Sequence, residues 1–186
     1  MQGKPVKSAI AGFFLSVAGI VLCATSPVQA SFIGHTVRAE YKFPDLGSVY
    51  LGNQQDAVVG AGVEFPSIFF GSSVDISANQ IRIDHASLSY ASGTPFDGFV
   101  FSDLLGLLPE ITGASLNSTN IGSFDASRIT FDANTVFALH GGIGSTVAGD
   151  FVLIDVTFAA VPEPGALALF GLGLAGLGYA RRRRKT

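Results

Sequence analysis

The side chains in this sequence that could do chemistry are three histidines, His35, His85 and His140, and a set of aspartates that includes Asp97, Asp103, Asp125 and Asp132. The histidines lie far apart and show none of the short spacings that bring two ligands onto one zinc ion, so no zinc site is expected. Gly141 and Gly142 follow His140 and could aim backbone N–H groups at an oxyanion. Such a loop needs a nucleophile on a G-x-S-x-G elbow, and the sequence has none. The glycines read instead as the turn between strands over 135–140 and 149–159. Thirteen carboxylates between residues 31 and 160 give glycosidase chemistry, which needs two acids flanking a cleft, no preferred pair. Asp97, Asp103, Asp125 and Asp132 sit near predicted strand ends beside Gly, Ser and Asn, where hard oxygen ligands suit calcium. The commoner role of Asp at such places is to cap a turn. No catalytic residue or cofactor-binding residue is assigned. A sugar-stacking platform is weakly supplied, since Trp is absent and Tyr41, Tyr50 and Tyr90 are the tyrosines outside the C-terminal tail.

The elements that must hold these residues are strands. From His35 to Phe43 apolar and polar residues alternate, which predicts a half-buried strand with Val37, Ala39, Tyr41 and Phe43 facing in. Further strands are expected over 48–51, 57–65, 73–77, 80–90, 98–102, 111–117, 128–132, 135–140 and 149–159. They are short and are separated by Gly, Pro, Asn, Asp and Ser. The expected fold is all-β, an antiparallel β-sandwich of jelly-roll-like type over residues 31–160.

Charge is unevenly placed. Between residues 31 and 160 four cations, Arg38, Lys42, Arg82 and Arg128, face thirteen carboxylates. An acidic domain repels phosphate backbones, so nucleic acid is not an expected partner. Residues 1–30 read as a signal peptide: Lys4 and Lys7 lead, an apolar core follows, and Val28-Gln29-Ala30 offers signal peptidase its small residues, with cleavage between Ala30 and Ser31. An uncleaved anchor is the weaker alternative, because the apolar run is short for a span. Cys23 follows the bulky Leu22, which does not suit lipoprotein processing. Removing this segment leaves no cysteine, hence no disulfide, thiolate ligand or cysteine nucleophile.

The C-terminus reads as a second address. Sixteen uncharged residues, 165–180, precede Arg181, Arg182, Arg183, Arg184 and Lys185. At about 1.5 Å per residue a helix there reaches roughly 24 Å, so it is expected to span a bilayer with the cations snorkelling and acting as a cytoplasmic stop-transfer. Gly171 to Gly176 fits a G-x-G-x-x-G pattern, but with no strand before it a nucleotide site is not expected. Pro162 and Pro164 keep Glu163 extended, the form in which a protease reads a peptide. Taken in order, Val161-Pro162-Glu163-Pro164-Gly165, the Leu/Ala/Gly helix and the basic end resemble the PEP-CTERM sorting signal of Gram-negative bacteria, also catalogued as the ice-binding protein C-terminal domain. That resemblance, over residues 161–186, implies an exosortase-type processing enzyme as partner. It also implies an inner-membrane-anchored intermediate and a final place at the cell surface or in the extracellular matrix. Four stretches of the domain, 41–47, 60–66, 96–103 and 124–132, resemble a small domain recurrent in secreted bacterial proteins, to which no activity attaches.

The sequence thus points to an exported, non-enzymatic surface or matrix protein associated with exopolysaccharide. The alternative is a secreted glycan-active hydrolase using paired carboxylates.

Overall fold

The computed structural model describes residues 30–161 and 166–183. The expected signal peptide up to Gln29, the Pro162-Glu163-Pro164 motif, Gly165, Arg184 and Lys185 lie outside the described residues.

Alternation builds the strands. In β1 (Thr36–Lys42) Val37, Ala39 and Tyr41 are at most 1% exposed, and Phe43 just beyond it packs against the core from a half-buried position. One five-stranded sheet runs β2-β1-β7-β10-β9, with β2 at Val49–Val58, β7 at Gly98–Asp103, β9 at Ile129–Phe131 and β10 at Thr135–Leu139. The other runs β3-β4-β5-β12-β8, from Phe65–Phe69, Ser72–Ile76, Gln80–Asp84, Phe151–Phe158 and Ile111–Thr119. Two-residue strands β6 (Leu88–Ser89) and β11 (Ser145–Thr146) pair with each other. Every pairing is antiparallel. The inward residues of both sheets, among them Val37, Phe99 and Val136 from one and Val74, Ile83 and Ile154 from the other, form one hydrophobic core. The two sheets therefore bury a shared layer, as a sandwich does.

Three expectations are corrected. Residues 57–65 are not one strand: β2 stops at Val58, and a loop with Gly62 at φ 114° leads into β3. The Glu64 carboxylate holds that loop, accepting from the Gly60 N–H (2.9 Å) and from the Ile76 N–H (2.7 Å) across the sheet. Residues 80–90 divide as well. β5 ends at Asp84, the His85 N–H turns to the Asp150 carbonyl, and the chain resumes as β6. Gly141 and Gly142 lead into β11 before β12, so the turn is not a simple hairpin.

Both ends of the domain meet at one pole. The Phe32 N–H donates to the Ala78 carbonyl, its ring meets Phe158 edge-on at 4.9 Å, and the Ala159 N–H donates to the Glu110 carbonyl. β1, β5, β8 and β10 run from this pole to the other; seven residues of β1 put the two about 20 Å apart. At the distal pole two tight turns are unusual. Phe70-Gly71 joins β3 to β4 with φ of 44° and 91°. The register of β2 on β1 breaks between Lys42↔Val49 and Glu40↔Gln54, so that Tyr50–Asn53 bulge outward, with Leu51 at φ 49° and Gly52 at φ 72°. Glycine takes such angles freely, whereas a residue with a Cβ gives up about 1 kcal/mol or more.

Ala166–Arg183 form helix α1. No described helix is long and apolar enough to cross a membrane. The reason lies in α1 itself: it continues into Arg181–Arg183, which leaves fifteen uncharged residues and about 22 Å of apolar length.

Two substitutions test this backbone. A Cβ on Gly98 would run into the Ala138 carbonyl of β10, so Gly98→Ala should lower unfolding free energy by about 2 kcal/mol or more in urea titrations. Leu51→Asn, at an exposed left-handed position, should raise it by about 0.5–1 kcal/mol.

Candidate functional site

The distal pole gathers aromatic rings over a buried polar chain. The ends of β1, β5, β7 and β10 converge there, and the chemistry-bearing residues they deliver are Tyr41, His85, Asp97 and His140. Asp97 stands just before β7 and is 3% exposed. One carboxylate oxygen accepts from the Tyr41 hydroxyl and the other from the Ala91 N–H at 2.7 Å. Its own carbonyl accepts from the N–H groups of His140 (2.7 Å) and Gly141 (2.8 Å). Burying a carboxylate is costly unless it is hydrogen-bonded, and here the bonds also tie three separate segments to one residue.

His85 and His140, 55 residues apart, meet at 3.3 Å between their Nε2 atoms. Their tautomers follow from one fixed point. The Ala138 carbonyl can only accept, so His140 donates to it from Nδ1 (2.9 Å) and carries a bare Nε2. His85 then donates from Nε2, and its bare Nδ1 accepts the Tyr90 hydroxyl at 2.8 Å. The chain is complete with both imidazoles neutral. Burial pushes His85 down to about 4, with Asp150 and Asp84 pulling weakly the other way. His140 is held well below the ordinary histidine range by burial and then by His85 beside it. Burial also raises both buried phenols, Tyr41 and Tyr90, above the usual tyrosine range.

Above this chain lies a groove of about 240 Å³, with Phe43, Tyr50, Phe69, Phe70, Leu88 and Asp97 in its lining. Tyr41 stacks flat on Phe69 (3.4 Å, 4°), and Tyr50 lies 6.4 Å from Tyr41 and 6.4 Å from Phe70. Tyr90 is 6.5 Å from Tyr41. The three tyrosines that looked scattered in the sequence thus converge on one pole. No spacing signals this, because Tyr41 is on β1, Tyr50 on the bulge of its partner β2, and Tyr90 just after β6, which pairs with β11.

The four aspartates singled out as calcium ligands are placed on separate turns. Asp97 and Asp103 stand at opposite ends of β7. Asp103 accepts from the N–H groups of Leu105 and Leu108, Asp125 from the N–H and hydroxyl of Ser127, and Asp132 from the Asn134 N–H. Among the described residues no three His, Cys, Asp or Glu side chains converge as a metal-binding set. His35 lies at the other pole, its carbonyl accepting from the Val59 N–H, so two of the three histidines meet and the third does not.

Acid should therefore loosen the domain. Both histidine pKa values are lower in the folded protein than the unfolded value near 6.5, so between about pH 6.5 and 4 the unfolded chain binds protons that the native one refuses. Stability is expected to be full above pH 6.5 and to fall as pH drops through that window, by roughly 3 kcal/mol from His85 alone. Urea titrations of the whole protein at pH 7 and pH 4.5 measure it, and His85→Gln should shrink the difference, leaving the part that His140 contributes. Tyr41→Phe, which leaves a buried carboxylate oxygen without its donor, should cost about 1–3 kcal/mol at pH 7.

Comparison with known proteins places the other end of the chain. Residues 160–185 match the family model of the PEP-CTERM protein-sorting motif. No curated protein and no solved structure matches the chain. The matched stretch begins two residues after β12 and includes all of α1. Such a motif is a sorting signal recognised by exosortase, and it implies export and a membrane-associated sorting intermediate. The chain is an exported protein sorted at its C-terminus, and the segment that does this, residues 160–185, is a PEP-CTERM protein-sorting motif.

Proposed function

We propose that this protein is a non-enzymatic component of the cell surface or extracellular matrix, delivered there by its C-terminal signal and associated with exopolysaccharide. A signal peptide is removed before Ser31. The domain folds outside the cytoplasm while α1 holds it to the inner membrane. An exosortase-type enzyme then cuts near Pro162-Glu163-Pro164 and frees it.

The observation that carries this reading is the sorting motif that follows the last strand of a closed domain. The helix within it supports a membrane-held stage. Phe170, Leu172, Leu174 and Leu177 are all exposed, Leu172 on the face opposite the other three, so the helix presents apolar side chains on both faces. A short span of this kind sits in a bilayer when arginines snorkel at its end and the membrane thins locally. At the distal groove the non-enzymatic reading is supported by how the polar groups there are used. Asp97 is the carboxylate in the groove lining, both of its oxygens accept hydrogen bonds, and the two histidines are neutral and engaged with each other. A glycan hydrolase would need two acids facing one cleft.

Mass spectrometry of the C-terminus of protein released from cells is the decisive measurement. The expected product ends near residue 164, without the arginines. Changing Pro162-Glu163-Pro164 to Ala-Ala-Ala should let the helix extend through the site and leave full-length protein in the membrane fraction. Neutralising Arg181–Lys185 should remove the barrier to translocation and send uncleaved protein into the medium. Release with Arg181–Lys185 still attached would overturn the processing step.

A further inference from the structure

We propose that the aromatic groove at the distal pole binds a quaternary ammonium group, carried on a small free ligand outside the cell. Its walls meet at steep angles: Phe43 and Tyr50 at 88° with ring centres 5.4 Å apart, Tyr50 and Phe69 at 72° and 6.0 Å, Phe69 and Phe70 at 63° and 4.9 Å. The rings lining the groove thus lie in several different planes, the kind of arrangement with which proteins hold a methylated ammonium.

Charge selects a cation. Asp97 is a buried carboxylate that enters none of the ion pairs among the described residues. The domain's cations have partners of their own: Arg38 with Asp56, Lys42 with Glu40, Arg82 with Asp84, and Arg128, at the same pole, with the carbonyls of Leu139 and Gly141. Hydrogen bonding then selects which cation. The Asp97 oxygens already accept from Tyr41 and Ala91, and the Ser89 hydroxyl is paired with Ser145. A sugar would bring several hydroxyls into a lining where, among the described residues, the Tyr50 hydroxyl is the side-chain polar group without a partner, and unpartnered polar groups are costly there. A quaternary ammonium has no donor or acceptor to satisfy and asks for charge and π-faces alone. The volume of about 240 Å³ has room for such a head and the carbons next to it.

Backbone strain points to the same rim. Among the described residues the non-glycine positive φ values fall at Leu51 and Phe70, beside Tyr50 and in the groove wall respectively, with Phe70 59% exposed. Bulky residues kept at such angles cluster where proteins hold ligands. The groove lies at the pole away from the C-terminal end of the domain, and a domain with thirteen carboxylates disfavours a ligand carrying a phosphate beside its ammonium. A free ligand is therefore favoured over a phosphatidylcholine headgroup.

The test uses the full chain in a non-ionic detergent, followed by calorimetry and by tyrosine fluorescence, which no Trp obscures. Choline chloride should bind saturably. Its neutral isostere 3,3-dimethylbutan-1-ol should bind at least tenfold more weakly, as should glucose, glucosamine and monomeric dihexanoylphosphatidylcholine. Phe70→Asn relieves the turn, so it should raise the melting temperature while weakening choline binding at least fivefold. Tyr50→Leu should weaken it similarly with the fold kept. Equal binding of the neutral isostere, tighter binding of either sugar or of the phosphatidylcholine, unaltered choline binding in both variants, or no saturable choline binding up to 50 mM would each overturn the proposal.

Discussion

One buried carboxylate fixes the distal pole of this domain. Asp97 accepts four hydrogen bonds, two on its side chain and two on its carbonyl, from β1, from the segment before β7 and from the end of β10. Because a carboxylate in a dry interior is tolerable only when its lone pairs are met, those three segments cannot drift apart without exposing its charge to an apolar surround. The order it imposes extends outward. With His140 held by its N–H on Asp97, the ring lies 5.1 Å from Phe99 and 5.0 Å from Phe124, and its Nε2 meets His85. With Tyr41 held by its hydroxyl, the ring is flat against Phe69, and the floor of the groove is set.

This arrangement also answers a problem of compartment. Proteins outside the cytoplasm often lock loops with disulfides, but residues 31–186 contain no cysteine. Polar side chains perform the loop-tying here. Glu64 gathers the loop after β2, Asp150 accepts from Val147 within the turn before β12, and Arg128 reaches the carbonyls around His140. Such links depend on protonation rather than on redox state, so the domain's integrity follows pH and ignores reductants.

How far the sequence foretold this depends on the range of the interactions. β1, β4, β7, β9, β10 and β12 were legible because alternation and turn residues are local: Val37, Ala39 and Tyr41 announce their face two residues at a time. The stretch 57–65 misled because Val58, Val59, Val63 and Phe65 keep an apolar density that Gly60 and Gly62 interrupt, and the backbone obeyed the glycines. β3 and β11 were illegible for different reasons: Pro66 breaks the strand signal in the first, and the second is two residues held by its pairing to β6. Turn-capping by Asp103, Asp125 and Asp132 was readable from their neighbours, whereas the meeting of His85 with His140 depends on how two sheets stack. The C-terminal motif needed no tertiary information, since it is recognised by composition and order alone.

The outermost strands carry a consequence for the protein in a crowd. A sandwich leaves four open edges, and an open edge invites a neighbouring molecule to continue the sheet. Here each one is spoiled as a template. β2 is thrown out of line by the bulge at Tyr50–Asn53, β3 carries Pro66 and an irregular register, β8 slips register twice against β12, and β9 is three residues long. An exported protein meets copies of itself outside the cytoplasm, with no cytoplasmic chaperone at hand. Broken edges let those copies come close without zipping into fibres.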